Sequence, residues 1–162
     1  MDIPQPAQVQ FGVAQVAFEV AIAAPQARVW RALVEETMAW WDRVFLMNPN
    51  ARGFVVEPRL GGRVFEDWGD GAGVQWYHVI GIDPPNALML TGQLAPTYGG
   101  PATTTVQLVL SQRGGATVLS LSETAFGRVD AKVESFIRAA WETLFETGLK
   151  SYVEAACARE RS

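Results

Sequence analysis

One cysteine, one histidine and no cluster of Lys or Arg set the first limits on this chain of 162 residues. A lone cysteine, Cys157, closes no internal disulfide, which fits a reducing cytoplasm. With a net charge of −4 and no basic stripe, nucleic-acid binding has no electrostatic footing. No uninterrupted apolar run reaches membrane-spanning length, and the N-terminus shows neither the basic nor the apolar region of a secretion signal. GxSxG, HExxH and CxxC are all absent, and Asp67 with Asp70 completes no calcium-loop spacing, so neither a metal nor a cofactor is expected. The GDGAG stretch at 69–73 looks faintly like a dinucleotide loop. It joins two predicted strands, however, and opens no helix whose N-terminus would hold a phosphate. Internal repeats and low-complexity blocks are also missing.

What the chain has is apolar mass. Hydrophobic residues make up 49% and charged ones 19%, enough for a substantial core in one domain. Six Trp and eight Phe are many for this length, and such rings either fill a core or line an apolar pocket.

Residues 130–159 carry the clearest pattern. Val133, Ile137, Trp141, Phe145, Leu149 and Val153 recur every four positions, widened by Phe136, Ala140, Leu144 and Tyr152. Glu134, Arg138, Glu142, Glu146, Lys150 and Glu154 form the opposite stripe, with Glu134–Arg138 and Glu146–Lys150 in the favourable acid-before-base order. This spacing predicts one amphipathic helix of roughly 40 Å, at ~1.5 Å per residue, that needs a broad apolar partner. Gly148 falls inside it, where it either admits a close neighbour or leaves room for a ligand.

Upstream, residues 16–22 alternate as a half-buried strand, and a phase slip near Ala14–Gln15 suggests a bulge or a tail strand separate from the first true strand. Pro25 opens a helix with Val29, Trp30, Leu33 and Val34 on its apolar side, and Trp40 and Trp41 fall on a second short helix. Six short runs follow, at 54–57, 62–68, 74–83, 87–94, 103–112 and 117–126, parted by Gly- and Pro-rich turns. Connections this short imply antiparallel neighbours. The expectation is an α+β fold in the order β-α-α-β6-α, a curved antiparallel sheet wrapped around the long C-terminal helix.

This order, with EPRLGGRVFEDWGDGAG at 57–73, GIDPPNALMLTG at 81–92 and WETLF at 141–145, resembles the START-like (Bet v 1-like, SRPBCC) superfamily, and within it the group related to the activator of the Hsp90 ATPase. The resemblance covers about residues 16–155. It implies a helix-grip fold with an apolar cavity between sheet and helix, a flexible tail at 1–13 and one START-like domain at 14–158. Relatives often carry a histidine near the end of the last strand. The matching stretch here is Ser122–Glu123–Thr124–Ala125–Phe126, which departs from that pattern.

Strand parity selects the polar candidates. Val64, Glu66 and Trp68 share one face; so do Trp76, His78, Ile80 and Ile82 on the next strand. A hairpin tip at Gly71 sets Glu66 opposite Trp76 and Val64 opposite His78, and Glu123 shares a face with Leu119 and Leu121. Glu66, His78 and Glu123 are therefore the candidate catalytic residues. Each has an alternative reading: Glu66 as an ion-pair partner of Arg63 or Arg59, His78 as a hydrogen-bonded core residue, Glu123 as a solvated strand end. Candidate ligand contacts are Trp41, Phe65, Trp68, Trp76, His78, Trp141 and Phe145, with Glu66 as polar anchor; Phe65 qualifies only if its strand is bulged.

The leading expectation is a binder of an apolar or aromatic small molecule. The alternatives are a cyclase- or hydratase-like enzyme using Glu66 and His78 as acid/base, and a co-chaperone-like protein-binding module. No nucleic-acid or membrane partner is expected, a protein partner stays open, and so does the choice between monomer and homodimer.

Overall fold

In the computed structural model, residues 11–161 are described, with the Tyr98 side chain left aside. Strand β1 spans Gly12–Ile22, followed by helices α1 (Gln26–Glu35) and α2 (Thr37–Trp40). Six strands come next: β2 (Gly53–Val56), β3 (Arg63–Gly69), β4 (Ala72–Asp83), β5 (Ala87–Leu94), β6 (Ala102–Arg113) and β7 (Ala116–Gly127). The long helix α3, residues 131–160, closes the chain, with Asp130 capping it by accepting from the N–H groups of Lys132 and Val133. The strands form one antiparallel sheet in the order β1-β7-β6-β5-β4-β3-β2, a meander with the first strand returned beside the last. The α+β helix-grip fold read from the sequence is the fold observed.

Two local expectations need correction. β1 pairs with β7 in unbroken register from Gly12 to Ile22, so there is no bulge near Ala14. The small Ala14 takes the inward position and is buried, while Val13 faces out. Gly12 and Val13 thus belong to the sheet, Phe11 precedes it exposed, and residues 1–10 of the expected tail lie outside the described residues.

The apolar stripe of α3 faces the concave side of the sheet, with Ile137, Trp141, Phe145, Leu149, Val153 and Cys157 all buried. In a uniform α-helix a repeat of four would drift about 40° per step around the axis. Here the middle of the helix, Thr143–Lys150, is π-helical. Its wider turn counters the drift and holds the stripe on one face. Gly148 sits in this segment, where a Cβ would come within 2.6 Å of the Trp40 carbonyl oxygen. Glycine at this position admits α2 against the helix.

The charged stripe is not simply solvated. Its side chains cap the free edge of β1: Glu134 accepts from the Gln15 N–H, Arg138 donates to the Ala17 carbonyl, Lys150 donates to Ala21 and Glu154 accepts from Ala23. A long edge strand is a template for pairing with another chain, and these contacts occupy it. The ion pairs along the helix are accordingly Arg138–Glu142 and Lys150–Glu154, not the two the acid-before-base order suggested.

Candidate functional site

Between α3 and the β4–β7 end of the sheet lies a cavity of about 90 Å³. Helix α3 supplies Phe136, Ile137, Ala140, Trp141 and Leu144; the sheet supplies Trp76, Tyr77, Leu94 and Glu123; Trp41, Phe45 and Phe54 close the remaining side. Phe136, 45% exposed, sits at its mouth. A deeper void of about 30 Å³ is lined by Trp40, Tyr77, Trp141 and Phe145 among others. Trp41 stacks on Phe54 at 4.0 Å and stands perpendicular to Trp141, with centroids 6.2 Å apart. Its indole N–H is buried and has no hydrogen-bond partner among the described residues. A larger groove of about 500 Å³ runs outside this gap, between α2, β2 and Tyr152.

Glu123 is the acid of the cavity. Its carboxyl accepts from the Thr104 hydroxyl and from the Trp141 indole N–H, and the residue is buried. Burial pushes its pKa above the usual carboxylate range, against the opposing pull of those two donors. Tyr77 beside it is raised well above an ordinary phenol, first by burial and then by the negative charge of Glu123.

Glu66 is just as buried, at 0% exposure, but is fully occupied. Its carboxylate accepts from four N–H groups: Met47 (2.8 Å) and Asn48 (3.2 Å) of the backbone, and the indoles of Trp68 (2.9 Å) and Trp76 (3.1 Å). Arg63 and Arg59, its suggested partners, pair with Glu57 instead. Glu66 does not line the 90 Å³ cavity. It fastens the segment that carries Phe45 to the sheet.

Strand irregularities explain which candidates gather and which do not. Register shifts between β3 and β4 fall at Trp68 and Trp76, so both indoles sit at bulges flanking Glu66. Bulges re-aim side chains, and these two turn the indoles onto one carboxylate. Beyond Trp76 the phase of β4 is inverted: Tyr77 faces Val64 across the pair, not His78. His78 is exposed on the outer face, where its Nε2 meets the Gln75 amide at 2.6 Å. A further shift at Ile80 returns Ile82 to the core, leaving Ile80 49% exposed. Phe65 is also on the outer face, its ring under the Arg63 guanidinium at 4.4 Å.

Of the expected ligand contacts, Trp41, Trp76 and Trp141 line the larger cavity and Phe145 the deeper void; Trp68 and Glu66 support the wall; Phe65 and His78 face away. Phe45, Phe54 and Tyr77 were not singled out, whereas strand parity already turns Leu94 toward the helix. Tyr77 was hidden by the bulge, and the loop residue Phe45 had no periodicity to mark it. Phe136, Ala140 and Leu144 were already in the helix stripe. Among the described residues no group of three or more His, Cys, Asp or Glu is placed to hold a metal, and no helix is long and apolar enough to cross a membrane.

A curved sheet closed over a long helix with an apolar gap defines the helix-grip class. The chain belongs to the family described as activator of Hsp90 ATPase homolog 1-like protein, whose model matches residues 23–154. Among solved structures it is similar to DynU16, a protein of the dynemicin biosynthetic locus, at 22% identity and a TM-score of 0.65 over 88% of this chain. It spans about half of that protein, 48%. It is also similar to MLL2253 from Mesorhizobium loti (21% identity, TM-score 0.63, 90% of this chain and 97% of that one) and to Ara h 8.0201 (16%, 0.64, 89% and 99%). No curated protein matches the chain. At these identities the likenesses carry the fold alone.

Proposed function

We propose that this protein binds an apolar or aromatic small molecule in the gap between sheet and helix, over Glu123. The observation that carries the reading is the cavity itself: rings on three sides, one buried carboxyl, and a buried Trp41 N–H without an acceptor. Buried donors are rarely left unpaired, and a ligand oxygen would satisfy this one. Trp41, Trp76, Tyr77 and Trp141 are the contacts proposed, with Glu123 as polar anchor in place of Glu66. Cys157 remains the support for a cytoplasmic setting.

The test is to fill the space. Ala140→Phe places a ring in the cavity without removing any hydrogen bond. It should abolish binding of an apolar fluorescent dye, or of whatever molecule native mass spectrometry finds retained in protein from its source, while leaving the fold intact. Dye affinity unchanged in a folded Ala140→Phe protein would refute the reading.

A second reading follows from the raised pKa of Glu123, which suits it to act as a general acid. Glu123→Gln would then remove turnover and keep affinity. The acid/base pair of Glu66 and His78 is withdrawn, because the two side chains lie on opposite faces of the sheet and Glu66 is saturated. A protein partner rests on the family description alone.

A further inference from the structure

We infer that the cavity over Glu123 takes the cationic head group of an organic amine, an alkyl- or arylalkylammonium ion paired with the carboxylate and seated against the indole walls, with an acceptor elsewhere on the same molecule meeting the Trp41 N–H. The inference rests on the reading of this gap as a ligand site and names the chemistry of what enters it.

Three observations converge. First, the walls are two indoles at right angles: Trp41 and Trp141 meet at 86°, and stacking on Phe54 at 4.0 Å backs the plane of Trp41. An indole face carries negative potential and is the best of the aromatic faces for holding a cation. Second, among the described residues none that lines the cavity is positively charged. Glu123 accepts from Thr104 of β6 and Trp141 of α3 and lies near Tyr77 of β4, all three uncharged. A carboxyl so placed is expensive to ionise, as its raised pKa reflects, and a bound cation would remove that cost where a neutral ligand would not. Its two hydrogen bonds also leave acceptor capacity free, since an ionised carboxylate offers about four lone-pair sites. The other buried acid, Glu66, already has four donors and no such capacity.

Third, the size fits a head group. The cavity holds about 90 Å³, whereas an engineered apolar cavity that binds benzene measures about 150 Å³. A whole polycycle does not fit; a compact ammonium does, with its tail leaving past Phe136.

The experiment compares a cation with its neutral near-isostere, 2-phenylethylammonium against 2-phenylethanol, by calorimetry on the full chain. The cation should bind at least about tenfold more tightly. In Glu123→Gln, where the amide can still accept from Trp141 and donate to Thr104, that preference should vanish. Equal or tighter binding of the alcohol to the unaltered protein overturns the inference, as does a preference that survives in Glu123→Gln. Binding of neither probe defeats the ligand-site reading as well, so the two failures are distinguishable. Should the variant not fold, the unaltered protein still decides.

Discussion

Replacing Glu66 should be among the most damaging single changes in this protein, and substitution by glutamine should rescue little. The carboxylate joins the Met47 and Asn48 backbone to the Trp68 and Trp76 indoles. In Glu66→Ala the two loop N–H groups can turn to water, since Met47 is 36% exposed and Asn48 is only half-buried. The indoles are half-buried at bulges and have less freedom. Each buried donor left without an acceptor costs about 1–3 kcal/mol, so we expect a loss of roughly 3–5 kcal/mol once the lost volume is included. Glu66→Gln keeps the shape but aims an NH2 at donors, and should still cost about 2–4 kcal/mol. At about 2–4 °C per kcal/mol for a chain of this size, the alanine variant should melt roughly 6–20 °C lower. Urea unfolding followed by tryptophan fluorescence and far-UV circular dichroism measures this directly. A cost under about 1 kcal/mol for either variant would mean that the four hydrogen bonds do not hold the loop to the sheet.

Three further predictions follow from the geometry. Glu123 has a raised pKa when folded, so the folded state holds its proton longer than the unfolded chain; stability therefore falls as pH rises from the unfolded carboxylate value to the folded one. Glu123→Gln should remove that decline, gaining on the unaltered protein as pH rises above the ordinary carboxylate value in denaturant titrations; parallel pH profiles would contradict the assignment. Gly148→Ala, usually a gain of up to about 1 kcal/mol in a helix, should instead cost about 1–3 kcal/mol because its Cβ would press on the Trp40 carbonyl, and a Tm increase would refute the close approach. Removing the four edge-capping side chains, Glu134, Arg138, Lys150 and Glu154, should expose β1 and produce association visible in light scattering; an unchanged molecular mass would show the edge to be protected by something else.

The architecture was legible because its signals are long: a stripe repeated every four residues through α3, and six short runs parted by turn formers. The site was legible only in part, because parity counting assumes that no residue is skipped. Trp68, Trp76 and Ile80 each break the count. A β-bulge leaves no mark in the alternation that a single sequence distinguishes from a polar residue on the inner face. Trp76 therefore reached the correct side for the wrong reason, and His78 and Tyr77 exchanged places. The burial of Glu66 could be inferred from its neighbours, but its saturation depends on the backbone of residues 47 and 48, which no periodicity reports. Glu123 survived because β7 pairs regularly with β1 and β6 through that stretch. The π segment of α3 had one trace in the sequence: a stripe at intervals of four over more than twenty residues is longer than a uniform α-helix keeps on one side.

The most direct test of the ligand site uses the six tryptophans as reporters. In a two-dimensional nitrogen–proton spectrum, titration with a small aromatic amine should shift the indole signals of Trp41, Trp76 and Trp141 saturably and together. The signal of Trp30, which lies outside the cavity lining, should stay in place. Saturable shifts confined to Trp30, or none at Trp41 and Trp141 at any ligand concentration, would contradict the account.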